Sequence, residues 1–455
     1  MKNVTTWGIN LTLATVAVLS VLVFAGCKKY LDKKADPQLV VPSTLKDIQA
    51  LLDNTDEMNN IGSGLAHGSS DDFFAVNPHQ LLNDGTLQAY TWQHVLYVST
   101  RNDWSIPYNT VYVANLALDL LKDIPQNASN NADYKNAKGS ALFFRSFCFS
   151  QLAGLYAKAY DEQTSNVDLG IPIRQTSDYN IPSVRATVKA TYEQILRDAQ
   201  EASSLLPDHP LHVTRPSKAA AYALLARTYL NMQNYDSAGI YADKCLQLKN
   251  DLMDFKTEII ASASAPFKMF NKETIFYARL GSTWLLNINT YVRVDTTLFS
   301  LYEMNDIRRQ AFFASSGSYR TFKGNYTGSS GIRFTGIATD EIYLIRAECF
   351  ARKENNILAL NDLNKLLKHR YDASFQPIYT SSSNETLNII LTERRKELLY
   401  RTLRWMDIKR LNKDGRNIIL KRVIGANSFT LNPNDGRYAL TIPDEVVELT
   451  GMQQN

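Results

Sequence analysis

Two carboxyl groups that cleave a sugar bond must be held roughly 5–10 Å apart, with one of them kept protonated, and two stretches of this sequence offer paired acids. Asp71 and Asp72 are adjacent, so their side chains leave the backbone in different directions. Glu393 and Glu397 lie one helical turn apart among Arg394, Arg395, Arg401 and Arg404. Such neighbours lower a carboxylate pKa, which suits an ion-paired helix and not a general acid. Of the histidines only His209 and His212 are close together, in a proline-flanked loop whose single nearby acid is Asp208, short of a metal-ligand set. The segment "GSSG" from Gly328 lacks the lysine and following helix that a phosphate cradle requires. No catalytic residue, metal site or cofactor is expected, so the chain is not read as an enzyme.

Flat rings are the other chemistry on offer. A pyranose presents C–H groups that stack on aromatic faces, while amide, carboxylate and guanidinium groups meet its hydroxyls, and an aromatic pair contributes roughly 0.5–1.5 kcal/mol beyond its buried area. Trp92, Tyr97, Trp104, Trp284, Tyr291 and Tyr326 are available, with Asp72, Arg101 and Asn102 nearby in sequence. Trp104 leads a helix and is assigned to packing. Trp92 and Trp284 are the first choices for ligand contact, supported by Tyr97, Tyr291, Asp72, Arg101 and Asn102. These residues lie in two stretches, 60–103 and 251–338, rich in Gly, Ser, Thr, Asn and aromatics, with strand-like alternation in "NTYVRVDTTLF". Irregular stretches longer than about 15 residues usually carry function.

Helices must hold those stretches in place, and a repeat shows how. Tyr222, Ala226, Tyr229, Ala238 and Cys245 stand at the offsets of a tetratricopeptide unit, and Tyr343, Ala347, Phe350, Ala359 and Leu366 follow each of them by 121 positions. Apolar spacing predicts further helices over 105–124, 136–157, 190–206, 385–400 and 402–412, the last two as a pair. The expected fold is mostly α: a tetratricopeptide-like solenoid of about four helical pairs, over 40–60, 104–250 and 340–413, with long irregular loops and minor β. Residues 414–455 form a C-terminal segment.

At the N-terminus, Lys2 is the only charge before Lys28, and the apolar run from Ile9 ends in Phe24-Ala25-Gly26-Cys27. This resembles a bacterial lipobox, so residues 1–26 are read as a signal peptide and Cys27 as the lipidated first residue of a single domain, 27–455. The competing reading is an uncleaved span near the lower length limit of about 17 residues. The formal charge of +4 is spread without basic blocks, against a nucleic-acid partner. Cys148, Cys245 and Cys349 are an odd set on apolar helix faces, expected as buried thiols.

The segments "CKKYLDKKADPQLVVPSTLKDIQALLDN", "WSIPYNTVYVAN", "GSALFFRSFCFSQL", "LGIPI", "ATYEQILRDAQEASSLLP", "RPSKAAAYALLARTYL", "TDEIYLIRAECFAR", "TERRKELLYRTLRWMDIKR" and "YALTIPDEVVEL" follow one another in the order of the SusD/RagB family, which the chain resembles over nearly all of its mature length. Two features depart from it. Arg401-Thr402 stands where the family tends to have Glu-Gly, so a local ion pair is expected to be rewired, and the residues after Cys27 are basic where some relatives carry acidic surface-display signals. The resemblance implies a lipid-anchored outer-membrane protein at the cell surface that binds a glycan or another nutrient and serves a TonB-dependent, SusC-like transporter. The alternative from the helical repeats is a periplasmic scaffold lipoprotein that assembles envelope proteins and binds no small ligand.

Overall fold

Two alanines at fixed spacing in each repeat unit let its two helices cross closely, and the structure, a computed structural model, builds its scaffold from such crossings. It describes residues 42–76, 78, 85–281 and 288–455; Cys27 and the segment 1–26 read as a signal peptide lie outside them. The main helices are α1 (Leu45–Leu52), α2 (Ser105–Leu121), α3 (Asn131–Tyr156), α4 (Val188–Leu205), α5 (Lys218–Asn231), α6 (Tyr235–Leu248), α7 (Thr339–Arg352), α8 (Asn356–Leu367), α9 (Ser383–Glu397) and α10 (Arg404–Lys413). Each packs on its neighbours in turn: α2 on α3, α3 on α4, α4 on α5, α5 on α6, α6 on α7, α7 on α8 and on α9. Residues 44–455 form one compact unit. No helix among the described residues is long and apolar enough to cross a membrane.

The repeat holds down to its turns. Gln233 and Glu354 both adopt positive φ, at 60° and 59°. In the residue after each, the backbone N–H donates at 2.9 Å to the carbonyl of Tyr229 or Phe350, the matching ring of its unit, and the Asn234 and Asn355 side chains cap α6 and α8. Ala238 and Ala359 are fully buried. Cys148, Cys245 and Cys349 are buried free thiols.

The last expected pair differs. Tyr400 and Thr402 take φ of 61° and 64°, a conformation that strains a β-branched residue and favours glycine. These two reversals turn the chain away, so α10 packs against α3, α5 and the short helix Gly64–Gly68, and meets α9 through the Arg394–Asp407 ion pair at 2.9 Å.

The β content is a set of two-stranded antiparallel ribbons: Phe73–Ala75 (β1) with Val292–Val294 (β5), Leu169–Pro172 (β2) with Arg185–Thr187 (β3), Thr274–Phe276 (β4) with Ile337–Ala338 (β8), Phe313–Ser316 (β6) with Tyr319–Phe322 (β7), and Leu420–Ile424 (β9) with Asn427–Leu431 (β10). "NTYVRVDTTLF" is strand only over β5, which is flanked by short helices at Ile288–Tyr291 and Thr296–Ser300.

One turn of α9 ties these parts together. Each of its five consecutive charged residues makes an ion pair, and together they reach four different segments. Glu393 meets Arg308 at 2.7 Å, Arg394 meets Asp407 at 2.9 Å, Arg395 meets Asp72 at 3.2 Å, Lys396 meets Asp306 at 3.2 Å, and Glu397 meets Arg370 at 2.7 Å. Arg370 also pairs with Glu273 at 2.9 Å, and the departing Arg401 pairs with Asp340 at 2.7 Å. Arg370, Glu273 and Glu397 have no exposed side-chain surface. Removing one member of a buried pair leaves an uncompensated charge and costs roughly 3–5 kcal/mol. Arg370→Met is accordingly expected to lose at least about 3 kcal/mol in urea unfolding; a loss below about 1 kcal/mol would show that the lattice contributes little.

Asp71 and Asp72 share Arg395, and Arg404 holds Asp71 at 2.7 Å. For Asp71, burial would raise the pKa but Arg404 and Arg395 outweigh it, and the net shift is downward. For Asp72 burial wins, helped by the charge of Asp71, and its pKa rises to about 6. A folded-state pKa above the unfolded one means that the stabilising contribution is present at low pH and lost as pH rises through about 6. Between pH 7.5 and 5 the wild type should therefore gain about 1 kcal/mol over Asp72→Asn, measured by paired urea titrations; a constant gap across that range would contradict the assignment.

Candidate functional site

The two irregular regions of the sequence meet in one place. β1, from the first, pairs with β5, from the second, in the register Phe73 with Val294, Phe74 with Arg293 and Ala75 with Val292. The pairing continues where the Val76 N–H donates to the Tyr291 carbonyl at 2.9 Å. Successive side chains of a strand point to opposite faces, so Phe73 goes inward, 2% exposed, and Phe74 goes outward. The ring of Phe74 meets Tyr319 edge-on, with centroids 5.1 Å apart. Tyr319 opens β7 next to Gly317, whose φ of +60° makes the tight turn from β6, and is 43% exposed. Phe74, Tyr319 and the half-buried Tyr291 thus supply aromatic surface along a ribbon joined from distant parts of the chain.

Beneath it lies an aromatic floor around one cation. The Arg422 guanidinium sits 4.4 Å from the Tyr90 ring centroid, 5.3 Å from Trp92 and 5.7 Å from Phe73. Trp92 is 1% exposed and its indole N–H donates to the Ser69 carbonyl at 2.9 Å. Against the expectation that it offers a face to ligand, Trp92 is a core residue, because both its ring and its N–H are already engaged. Asp72, 2% exposed, is likewise committed to Arg395.

The other expected contacts are scattered. The Tyr97 hydroxyl donates to the Thr441 carbonyl at 2.9 Å and lies 3.1 Å from the Tyr156 hydroxyl, so it anchors the C-terminal segment. The Asn102 Oδ1 accepts from the N–H groups of Trp104 and Ser105, both at 2.9 Å, and so caps the start of α2. Arg101 is exposed beside it. Trp104 packs edge-on against Tyr156 at 5.0 Å, as expected of a packing residue, and Tyr326 is buried with its hydroxyl donating to Glu273 at 2.7 Å. Trp284 lies outside the described residues. Phe74 and Tyr319 escaped the sequence reading, although the alternation of "SYRTF" after Gly317 carries a hairpin signal for the second.

The acids are engaged elsewhere. Burial would raise the Glu397 pKa, but Arg370, Arg308 and Arg401 bring it down to about 2, the behaviour of a permanent anion. Glu273, Asp340 and Glu397 converge within 4.8 Å of one another, and Arg370 and Arg401 already provide the positive charge that a metal ion would bring. His212 is held by the Thr214 hydroxyl at 2.9 Å and the edge of Phe270 at 4.5 Å.

Comparison with known proteins agrees with this architecture. Residues 29–230 match the SusD-like family described as starch-binding and associating with the outer membrane, and residues 313–439 match the SusD family. The SusD-like protein P2 of Formosa agariphila is 24% identical over 329 residues, covering 58% of this chain and 64% of that relative's length. Among solved structures, a SusD superfamily protein from Bacteroides vulgatus superposes with a TM-score of 0.75 at 19% identity, covering 91% of this chain and 99% of that one. A SusD superfamily protein from Bacteroides thetaiotaomicron gives 0.71 at 20% identity, over 90% and 99%. A laminarin-binding SusD-like protein gives 0.63 at 18% identity, over 90% and 97%. With its helical-pair scaffold and two family matches that between them take in most of its length, the chain belongs to the SusD/RagB family.

Proposed function

We propose that this chain is a lipid-anchored cell-surface protein that binds a glycan on the aromatic ribbon around Phe74 and Tyr319 and hands it to a TonB-dependent outer-membrane transporter. The observation that carries the reading is the joining of two irregular regions into one partly exposed aromatic surface, backed by a helical scaffold. A preformed surface of this kind loses little entropy on binding, since its rings are fixed before the sugar arrives. The carboxylates are neutralised by arginine, which favours capture over hydrolysis. A broad solenoid face suits a protein partner, and a weak sugar site gains from sitting beside its transporter at high local concentration. Cys27 is the proposed anchor point.

Titration of a glycan panel into the mature protein tests the ligand. Phe74→Ala together with Tyr319→Ala should weaken binding of the best glycan roughly tenfold, the sum expected of two lost stacking faces, with Trp284→Ala as a third substitution. Unchanged affinity in the double variant would displace the site from this ribbon. External protease on intact cells should remove the protein; its survival until the outer membrane is opened would favour the periplasmic scaffold.

A further inference from the structure

Behind the hairpin that carries Tyr319 lies a hollow of about 520 Å³, whose lining includes Phe299, Asn305, Arg309, Gln310, Ser315 and Arg320. Its position follows from the register of β6 and β7. Ser315 stands opposite Arg320 and Phe313 opposite Phe322, so these four share one face, while Ser316 and Tyr319 share the other with Phe74. The hollow and the aromatic ribbon are therefore back to back on one hairpin.

Two arginines lie over a single ring there. The Arg309 guanidinium carbon is 4.3 Å from the Phe299 centroid and that of Arg320 is 4.9 Å away. Each donates one N–H to a backbone carbonyl, Arg309 to Tyr302 at 2.7 Å and Arg320 to Tyr319 at 2.9 Å. Arg308, Arg370, Arg395, Arg401 and Arg404 each have a carboxylate partner, whereas among the described residues Arg309 and Arg320 form no ion pair. Two acids also line the hollow: Asp306 is neutralised by Arg308 at 2.8 Å and Lys396 at 3.2 Å, and Asp372 accepts from the N–H and hydroxyl of Ser374 at 2.8 and 2.6 Å.

Like charges sharing one ring repel, and an anion between them relieves the repulsion. A planar guanidinium offers paired N–H donors that match the oxygens of a carboxylate or sulfate. The volume fits one sugar ring with its substituent, and the Ser315, Asn305 and Gln310 side chains supply partners for hydroxyls. The modest net charge of +4, without basic blocks, disfavours nucleic acid as the anion.

We propose that this hollow is an anion subsite in which Arg309 and Arg320 receive a carboxylate or sulfate ester borne on a sugar ring, so that the glycan captured by this protein is an acidic one. This rests on the glycan-binding reading above and narrows its substrate class.

Calorimetry on the mature chain at low salt tests it, with three probes of matched length: a galacturonate oligosaccharide (carboxylate), a carrageenan oligosaccharide (sulfate ester) and a laminarin oligosaccharide (neutral), and inorganic sulfate as the free ion. At least one charged oligosaccharide should bind about tenfold tighter than the neutral one, and Arg309→Gln with Arg320→Gln should abolish that difference while leaving neutral binding intact. Arg309→Lys with Arg320→Lys, which keeps the charge and loses the paired donors, should fall between. Whichever charged probe wins identifies the group. Equal binding of charged and neutral probes, or a charged preference that survives the glutamine variant, overturns the subsite and leaves the glycan-binding reading standing. Inorganic sulfate binding as tightly as the sulfated oligosaccharide overturns the saccharide assignment. Failure of all three oligosaccharides overturns both.

Discussion

A helix can present five consecutive charged residues only if they fan out to different partners, because successive side chains stand about 100° apart around its axis. The run Glu393–Glu397 meets that condition. It is buried save for a partly exposed Arg395, and its side chains reach the loop at Asp306–Arg308, the α10 helix at Asp407, the segment before β1 at Asp72 and the end of α8 at Arg370. Buried ion pairs are poor sources of net stability, since desolvation offsets most of their attraction. They are strict about geometry, however, and a segment that slips leaves charges unpaired in a dry interior. The lattice therefore decides where the irregular regions sit more than how strongly the chain folds.

That division of labour connects scaffold to function. Alanine-rich crossings between α5 and α6 and between α7 and α8 generate a stiff set of helical pairs, and such crossings specify no ligand. The chain's individuality lies in the long insertions, which have too little regular structure to fix their own shape. α9 fixes it for them from below, while Arg422, seated among Tyr90, Trp92 and Phe73, fixes it from the side. Above those anchors the ribbon can present rings on one side and arginines on the other without moving either.

Much of the scaffold was legible in the sequence because helical contacts are local and periodic. The 121-residue offset pointed to two units of one plan, and the structure extends the match to positive φ at Gln233 and Glu354. The acids and arginines around Glu393 read correctly as ion pairs, since their density alone argued against a free acid. The site was legible by region and composition, not by residue. Trp92 and Tyr97 are aromatics of the right kind in the right stretch, yet nothing in an irregular segment tells inward from outward, and their direction is set by Arg422 and by the C-terminal Thr441. Phe74 becomes outward-facing only through pairing with Arg293 on β5, 219 positions away, a contact that no local pattern announces. The ion pair of Arg401 with Asp340 on α7, 61 positions earlier, was not legible in the sequence.

Native-state hydrogen exchange is the most direct test of whether the charged turn of α9 holds the ligand-side ribbon as part of the scaffold. The ladder amides of β1 and β5 should exchange at rates close to those of α9, through a common large-scale opening. Ladder amides that exchange orders of magnitude faster than α9, with the helices still protected, would contradict it.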